Sequence, residues 1–353
     1  MKTGLSLSEL AAKIEGNKAL KQDFIADTAA TTMQVQADKT IVLEIPQPGT
    51  AIPNSFPILP IAHDQIGARL NIPAKYYDRM QAEAPDLLAT NVNAWFRKNP
   101  EKRMIRTLGG DARAFLSNRY NRIENEEIAE VVLPILADIP GVRILSSEIT
   151  DRRMYIQALT PRTEGEVKKG DVVQAGVVIS NSETGHGAVS ISPLVYRLVC
   201  LNGMIANDGR LRANHVGGRI EETEALYQDD TRKADDRAIL LKVRDHVRNA
   251  VDSVAFAARV EAMAGLVRQP IAGDPVAAVE VLAKKVGATD GERGGILRSL
   301  IEGGDLSAWG LLNAVTAQAH AAPDYDRSID FERMGGALLE LPRNEWTRVL
   351  EAA

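Results

Sequence analysis

One cysteine, Cys200, stands in 353 residues, which excludes an internal disulfide and fits a reducing compartment. Aromatic residues make up only 5% of the chain, so its cores must be assembled from Leu, Ile, Val and Ala. No apolar run approaches the roughly 20 residues of a membrane-spanning helix. The start, MKTGLSLSELAAKIEGNKAL, is polar and has no long apolar region after its lysine. Neither a signal peptide nor a membrane span is expected, and the cytoplasm is the expected location. The five histidines include no pair at i,i+3 or i,i+4, so a helix-borne metal pair is missing. The phosphate-cradling G-x-x-x-x-G-K-[ST], the G-x-G-x-x-G of dinucleotide sites, the nucleophile elbow and C-x-x-C are all absent. The expectation is no cofactor, no metal site and no catalytic set.

What is present describes a folded protein. Hydrophobic residues reach 45% and charged residues 25%, a balance that argues against wholesale disorder. The length calls for two or three packed units. The net charge of −5 argues against a protein coated in positive charge. It leaves room for a local basic groove, because a field in salt is screened over about 8–10 Å.

Periodicity divides the chain. Leu7, Leu10, Ile14 and Leu20 predict a helix over 5–25, followed by a hairpin turning at Ala37-Asp38-Lys39 and a proline-bearing extended loop over 46–60. Residues 61–96 turn helical, with a break at Asn71-Ile72-Pro73. The centre alternates. One hairpin turns at Gly109-Gly110-Asp111, a helix runs over 124–137, a second hairpin turns at Thr150-Asp151-Arg152, and a third is joined by Ser182-Glu-Thr-Gly-His-Gly187. After an acidic stretch, helices fill the rest: 239–263, 275–286, 293–301, 306–320 and 331–341. The expected fold is α+β, a central antiparallel hairpin-rich sheet with a packed helix, flanked by an N-terminal helical subdomain and a C-terminal helical region. The expected divisions are 1–100 (mixed, mostly helical), 101–220 (sheet), 221–236 (acidic linker) and 237–353 (helical).

Arginine is the strongest chemical signal. The first central hairpin and its exit carry Arg103, Arg106, Arg113, Arg119 and Arg122, with Tyr120 among them. Later come Arg152, Arg153, Arg197, Arg210, Arg212 and Arg219, with Asn202, Asn207 and Asn214 interleaved. Between Arg197 and Arg219 the only acidic residue is Asp208. Guanidinium groups meet phosphates bidentately, and an aromatic offers a stacking face to a base, so this pattern suits a single-strand binder. The bland alternative is that the arginines pair with Glu124, Glu126, Glu127 and their neighbours. Glu166-Val-Lys168 matches half of a metal-dependent nuclease site, which would need Asp151 or Asp171 as a second carboxylate; a solvated turn is the alternative. Cys200, within Leu198-Val-Cys-Leu201, is expected to be a buried small hydrophobe.

The tract from Val177 to Met204, with Asn181-Ser182 and Arg197-Leu-Val-Cys200-Leu-Asn202, resembles the hallmark of the phage/plasmid-like protein family, the nine-three-two class of domains of unknown function. Its members read NS-x-D-G and then R-x-V-C-x-N; Glu183-Thr184 departs from that turn. Arg113-Ala-Phe-Leu-Ser-Asn-Arg119-Tyr120, Leu70-Asn-Ile-Pro-Ala-Lys-Tyr-Tyr77 and Trp309-Gly-Leu-Leu-Asn313-Ala-Val-Thr316 resemble three further boxes of that family, so the likeness spans roughly 60–340. It implies a mobile-element context of recombination or replication. The hairpin-hairpin-helix order is also similar, at the level of fold alone, to ring-forming single-strand annealing recombinases.

Together these readings point to a non-catalytic protein that binds single-stranded DNA and promotes annealing as a homo-oligomer in the cytoplasm. Arg113, Arg119, Arg122, Arg197, Arg210, Arg212 and Arg219 would contact phosphates, Asn202 would assist and Tyr120 would stack. Two alternatives stay open: a metal-dependent nuclease built on Glu166 and Lys168, and a mobile-element interaction or counter-defence factor whose arginines pair internally.

Overall fold

The computed structural model describes residues 2–207, 210–213, 229–249 and 252–353. The chain opens with α1 (Leu7–Leu20), started by a capping box in which Ser6 Oγ accepts from Glu9 N while Glu9 Oε2 accepts from Ser6 N. It turns directly into β1 (Lys21–Asp27), a strand hidden in the sequence because its burial barely alternates. The first unit follows: β2 (Thr32–Val35), β3 (Ile41–Ile45), β4 (Asn54–Pro57), α2 (Pro60–Arg69), α3 (Ala74–Glu83) and α4 (Pro85–Lys98). The hairpin at Ala37–Lys39 is as expected, with Lys39 at φ +70°. The proline-bearing loop holds β4, which the prolines masked. Its Phe56 packs with Met33, Leu43, Ile66, Leu88 and Phe96 in an apolar core under these helices.

Next come β5 (Lys102–Leu108) and β6 (Asp111–Ser117), joined at Gly109-Gly110, both at positive φ as a tight hairpin requires. The three strands β1-β5-β6 make one sheet, with Lys21 opposite Leu108 and Met104 opposite Leu116. This sheet draws strands from both sides of residue 100.

The largest sheet follows α5 (Asn125–Asp138). It contains β7 (Arg143–Ile149), β8 (Met154–Lys168), β9 (Asp171–Asn181), β10 (Val189–Arg197) and β11 (Asn202–Ile205) in the order β11-β10-β9-β8-β7, and β12 (Leu211–Ala213) pairs with β10. The mixed α+β class with antiparallel sheets is therefore as the sequence predicts. Alternation sorts the faces. Met154, Ile156, Val177, Ile179, Val189 and Ile191 face one core with Leu10 and Ile14 of α1 and Ile128, Val132 and Leu136 of α5. Tyr155, Leu159, Val178, Leu194 and Tyr196 face the other way.

The C-terminal half is helical: α6 (Asp229–Asn249), α7 (Ser253–Val267), α8 (Pro275–Val286), α9 (Asp290–Gly303), α10 (Ala308–Ala317), α11 (Tyr325–Leu339) and α12 (Arg343–Leu350). The single helix expected over 239–263 is two. Asp252 accepts from Ala255 N and starts α7, a cap signal that continuous apolar spacing concealed. Residues 229–236 of the expected acidic linker lie in α6; 221–228 lie outside the described residues. Val167, Val173, Ala175 and Val195, at the far end of the sheet, share a core with Phe256, Met263, Trp309, Leu312 and Trp346. Helix α11 crosses the sheet's second face through Tyr325 and Ile329. Among the described residues, no helix is long and apolar enough to cross a membrane. Cys200 departs from expectation: it is exposed, in the turn between β10 and β11.

Candidate nucleic-acid interface

The arginines read from the sequence divide into those the fold consumes and those it leaves at the surface. The first hairpin's arginines meet a buried ionic network. Glu183, 4% exposed, accepts from Arg113 Nη1 at 2.8 Å, from Lys21 Nζ at 2.5 Å and from Asn125 N at 2.7 Å. Arg106, 1% exposed, donates to Asp23, to Glu124 and to the Glu183 carbonyl. Arg122 reaches Asp23 from the surface at 3.2 Å. Burial pushes the Glu183 carboxyl up, but Arg113 and Lys21 outweigh it and hold the group at about 2. Burial and the nearby Glu183 push Glu124 the other way, upward against the pull of Arg106.

Glu124, Glu126 and Glu183 stand close enough to share a metal ion. The Lys21 ammonium bonds all three, at 3.1, 2.8 and 2.5 Å. It occupies the position a cation would take and supplies the charge they need.

Two sequence assignments are corrected here. Arg113 is buried and paired with Glu183, so it cannot reach a phosphate on a bound strand. Tyr120 is 7% exposed and donates its hydroxyl to Ser182 O at 2.7 Å, so its ring has no open face for a base. Arg197 and Asn202 are corrected as well. Arg197 forks onto Asp171 at 2.6 and 2.8 Å, and Trp309 Nε1 donates to the same carboxylate at 2.9 Å. Asn202 donates to Thr316 Oγ1 at 2.5 Å and is 3% exposed. These contacts clamp the end of the sheet to α10. The nuclease dyad does not assemble either. Glu166 accepts from Gly170 N within its own turn, Lys168 pairs with Asp305, and Asp171 is already held by Arg197 and Trp309.

Five arginines remain near the turns at the other end of the sheet. The Asn181–Gly187 turn is pinned first. Asn181 Nδ2 donates to Ile123 O and Asn125 Oδ1, and Glu183 is fixed as above. Ser182 Oγ and Thr184 Oγ1 then donate to Arg152 O, at 2.8 and 3.2 Å, locking the turn between β7 and β8 beside it. Arg153 Nη2 donates to His186 O. Gly187, at φ +134°, leaves the guanidinium the space that a Cβ would occupy. Arg210 Nε donates to Ser190 Oγ at 2.9 Å, placing Arg210 and Arg212 beside the start of β10. Arg333 approaches from α11.

Among the described residues, no carboxylate lies within ion-pairing distance of Arg152, Arg153, Arg210, Arg212 or Arg333. Burial and the charges of Arg333, Arg212 and Arg153 lower the proton affinity of Arg210. Burial, Arg152 and Arg153 likewise push the His186 imidazole down. Asp326 and Asp330 of α11 answer part of this charge. Asp326 also accepts from Tyr155 Oη at 2.7 Å.

The result is a surface of mutually repelling arginines on a rigid frame, half-buried at Arg153, Arg210 and Arg333 and exposed at Arg152 and Arg212. An anion bridging them would relieve that repulsion. Of the expected contacts, Arg210 and Arg212 belong to this face. Arg119 is exposed, Arg122 is exposed and paired with Asp23, and Arg219 lies outside the described residues. Arg152 and Arg153 stand in the arginine tract of the sequence without an expected contact, and Arg333, among the acidic residues of α11, carries no local sequence signal.

A family profile described as "Domain of unknown function (DUF932)" matches residues 114–324. That span includes the Asn181–Gly187 turn, Arg197, Asn202 and Trp309. No curated protein and no solved structure matches the chain.

Proposed function

The chain belongs to the family described as Domain of unknown function (DUF932), and on that premise we propose that it binds single-stranded nucleic acid through the face formed by Arg152, Arg153, Arg210, Arg212 and Arg333. The observation that carries this is the mutual repulsion of Arg153, Arg210, Arg212 and Arg333 without a carboxylate in contact among the described residues. Folding that gathers like charges and answers them only in part, through Asp326 and Asp330, costs stability unless a ligand supplies the remaining counter-charge. Phosphodiesters supply it in series. The planar fork of arginine matches them better than a lysine would. In the fuller reading the bound strand is DNA, and copies of the chain acting as a homo-oligomer bring complementary strands together for annealing during recombination or replication.

Fluorescence anisotropy of a labelled oligothymidylate against KCl tests the reading. Each phosphate contact to a single strand contributes about −0.7 to the slope of log affinity against log salt, so three to four contacts predict about −2 to −3. The double substitution Arg210→Glu with Arg212→Glu lowers affinity more than tenfold and flattens the slope, without lowering the unfolding midpoint, because it relieves the repulsion with Arg153 and Arg333. Absence of binding at low salt, or an unchanged slope in the double variant, overturns the proposal.

A further inference from the structure

Two buried oxygens at the interface between α11 and the large sheet have no hydrogen-bond partner among the described residues: Oε1 of Gln157 and Oε1 of Glu332. Both residues are fully buried. They already share one bond, with Gln157 Nε2 donating to Glu332 Oε2 at 2.7 Å. Gln157 lies in the middle of β8, opposite Val178, between the neighbours Tyr155 and Leu159 that face α11. Glu332 lies one turn before Gly335-Gly336, where α11 comes against β11. A Cβ on Gly336 would overlap the Ile205 carbonyl, so the helix is seated tightly there, and Glu332 is 0% exposed.

No cation pairs with Glu332 among the described residues. The titratable and charged groups facing it are few. Tyr196 looks across from β10 and Tyr325 lies on α11 itself. The positive charges of the chain's amino group and of Arg333 favour the ionised form, and burial outweighs both; nearby, Lys2 N donates to Ser328 Oγ. Tyr325 gives its hydroxyl to Ser146 Oγ at 2.8 Å, leaving none for Glu332. An ionised carboxylate in this setting is a buried charge with one neutral donor, which is a costly arrangement. A carboxylic acid and a primary amide, by contrast, are complementary, since each offers one donor and one acceptor.

We propose that Glu332 is held in the folded protein as the neutral acid, its proton donated to Gln157 Oε1, forming a two-bond clasp between α11 and β8 that weakens when the proton leaves. A single proton satisfies both orphaned oxygens at once. Burial, which pushes the Glu332 carboxyl up to about 7, puts the loss of that proton near neutrality. The sign follows from linkage. The group binds its proton more tightly folded than unfolded, so its contribution is fully present below about 4.5. That contribution is lost progressively as pH rises from there to about 7, and is constant above. The interval corresponds to a fall of roughly 300-fold in the folding constant. The proposal does not depend on nucleic-acid binding.

The test has two arms. In protein labelled with 13C at glutamate side-chain carboxyls, the through-bond-assigned Glu332 signal titrates with a midpoint near 7; a midpoint between 4 and 5 overturns the clasp. In urea unfolding from pH 5 to 8.5, Glu332→Gln keeps both bonds through its own amide and carries no proton to lose. It therefore becomes more stable than the wild type as pH rises, with the difference in folding constants widening between pH 5 and 7. Parallel pH profiles for the two proteins overturn the proposal. If Glu332→Gln does not fold, the carboxyl titration of the wild type decides alone.

Discussion

Replacing Glu183 by Gln probes the ionic network that frames the arginine face. The carboxylate is 3% exposed at its side chain and holds Arg113, Lys21 and the backbone of Asn125. Lys21 retains Glu124 and Glu126 when Glu183 is lost. Arg113 retains no carboxylate among the described residues, and its Nε and Nη2 already have no partner. Breaking a buried pair from one side costs about 3–5 kcal/mol, mostly because a charge is left uncompensated. Since Lys21 is spared, the lower half of that range is expected, about 3–4 kcal/mol. Typical domains are stable by about 5–15 kcal/mol, so the variant still folds. Urea unfolding at pH 7 measures it, with an unchanged m value as the sign that only stability moved. Adding Arg113→Met removes the stranded cation, so the double variant is more stable than the sum of the single costs implies, by at least about 1.5 kcal/mol. The pH dependence has a definite sign. The folded carboxyl sits at about 2, below its ordinary value, so its contribution is present above about 4.5 and is lost as pH falls toward 2. The gap between wild type and variant therefore narrows in acid. Glu124 is shifted upward, in part by Glu183 itself, and titrates in the opposite sense, so the difference between the proteins reports the coupled pair, with the loss of the Glu183 contribution setting its sign in acid. A cost below about 1 kcal/mol, or strictly additive single and double variants, would refute the reasoning.

Tyr120→Phe removes a buried hydroxyl whose partner is the Ser182 carbonyl. It costs about 1–2 kcal/mol in urea unfolding and leaves oligonucleotide affinity unchanged; a loss of affinity at equal stability would restore Tyr120 as a contact. Arg197→Met strands the buried Asp171, leaving it only the Trp309 indole. Hydrogen exchange is then expected to quicken first in α10 and its neighbours, and uniform quickening across the chain would contradict the clamp.

The motif-bearing residues were legible as a set, but their role was not. Arg113, Tyr120, Asn181, Arg197, Asn202 and Trp309 stood out in the sequence, and the fold uses every one of them internally. Arginine reads the same in a sequence whether a carboxylate 70 residues away answers it or a phosphate does. The partners that decide the matter, Glu183 for Arg113 and Asp171 for Arg197, come from the turn after β9 and from the start of β9. Cys200 shows the same limit in reverse. Its apolar neighbours suggest burial, yet Leu201 at φ +53° turns the chain outward there.

Local signals carried the fold class. Alternation marked β7 to β10, Gly109-Gly110 marked a hairpin, and the stripe from Ile128 to Leu136 marked α5, because each depends on residues a few positions apart. Strand β1 and the break between α6 and α7 needed the tertiary structure, since β1 is defined by its pairing with β5 and its own pattern is weak. Which arginines stay at the surface was also settled only in three dimensions. Ion pairing acts through space with the inverse of distance, and spacing along the chain does not fix which charges meet.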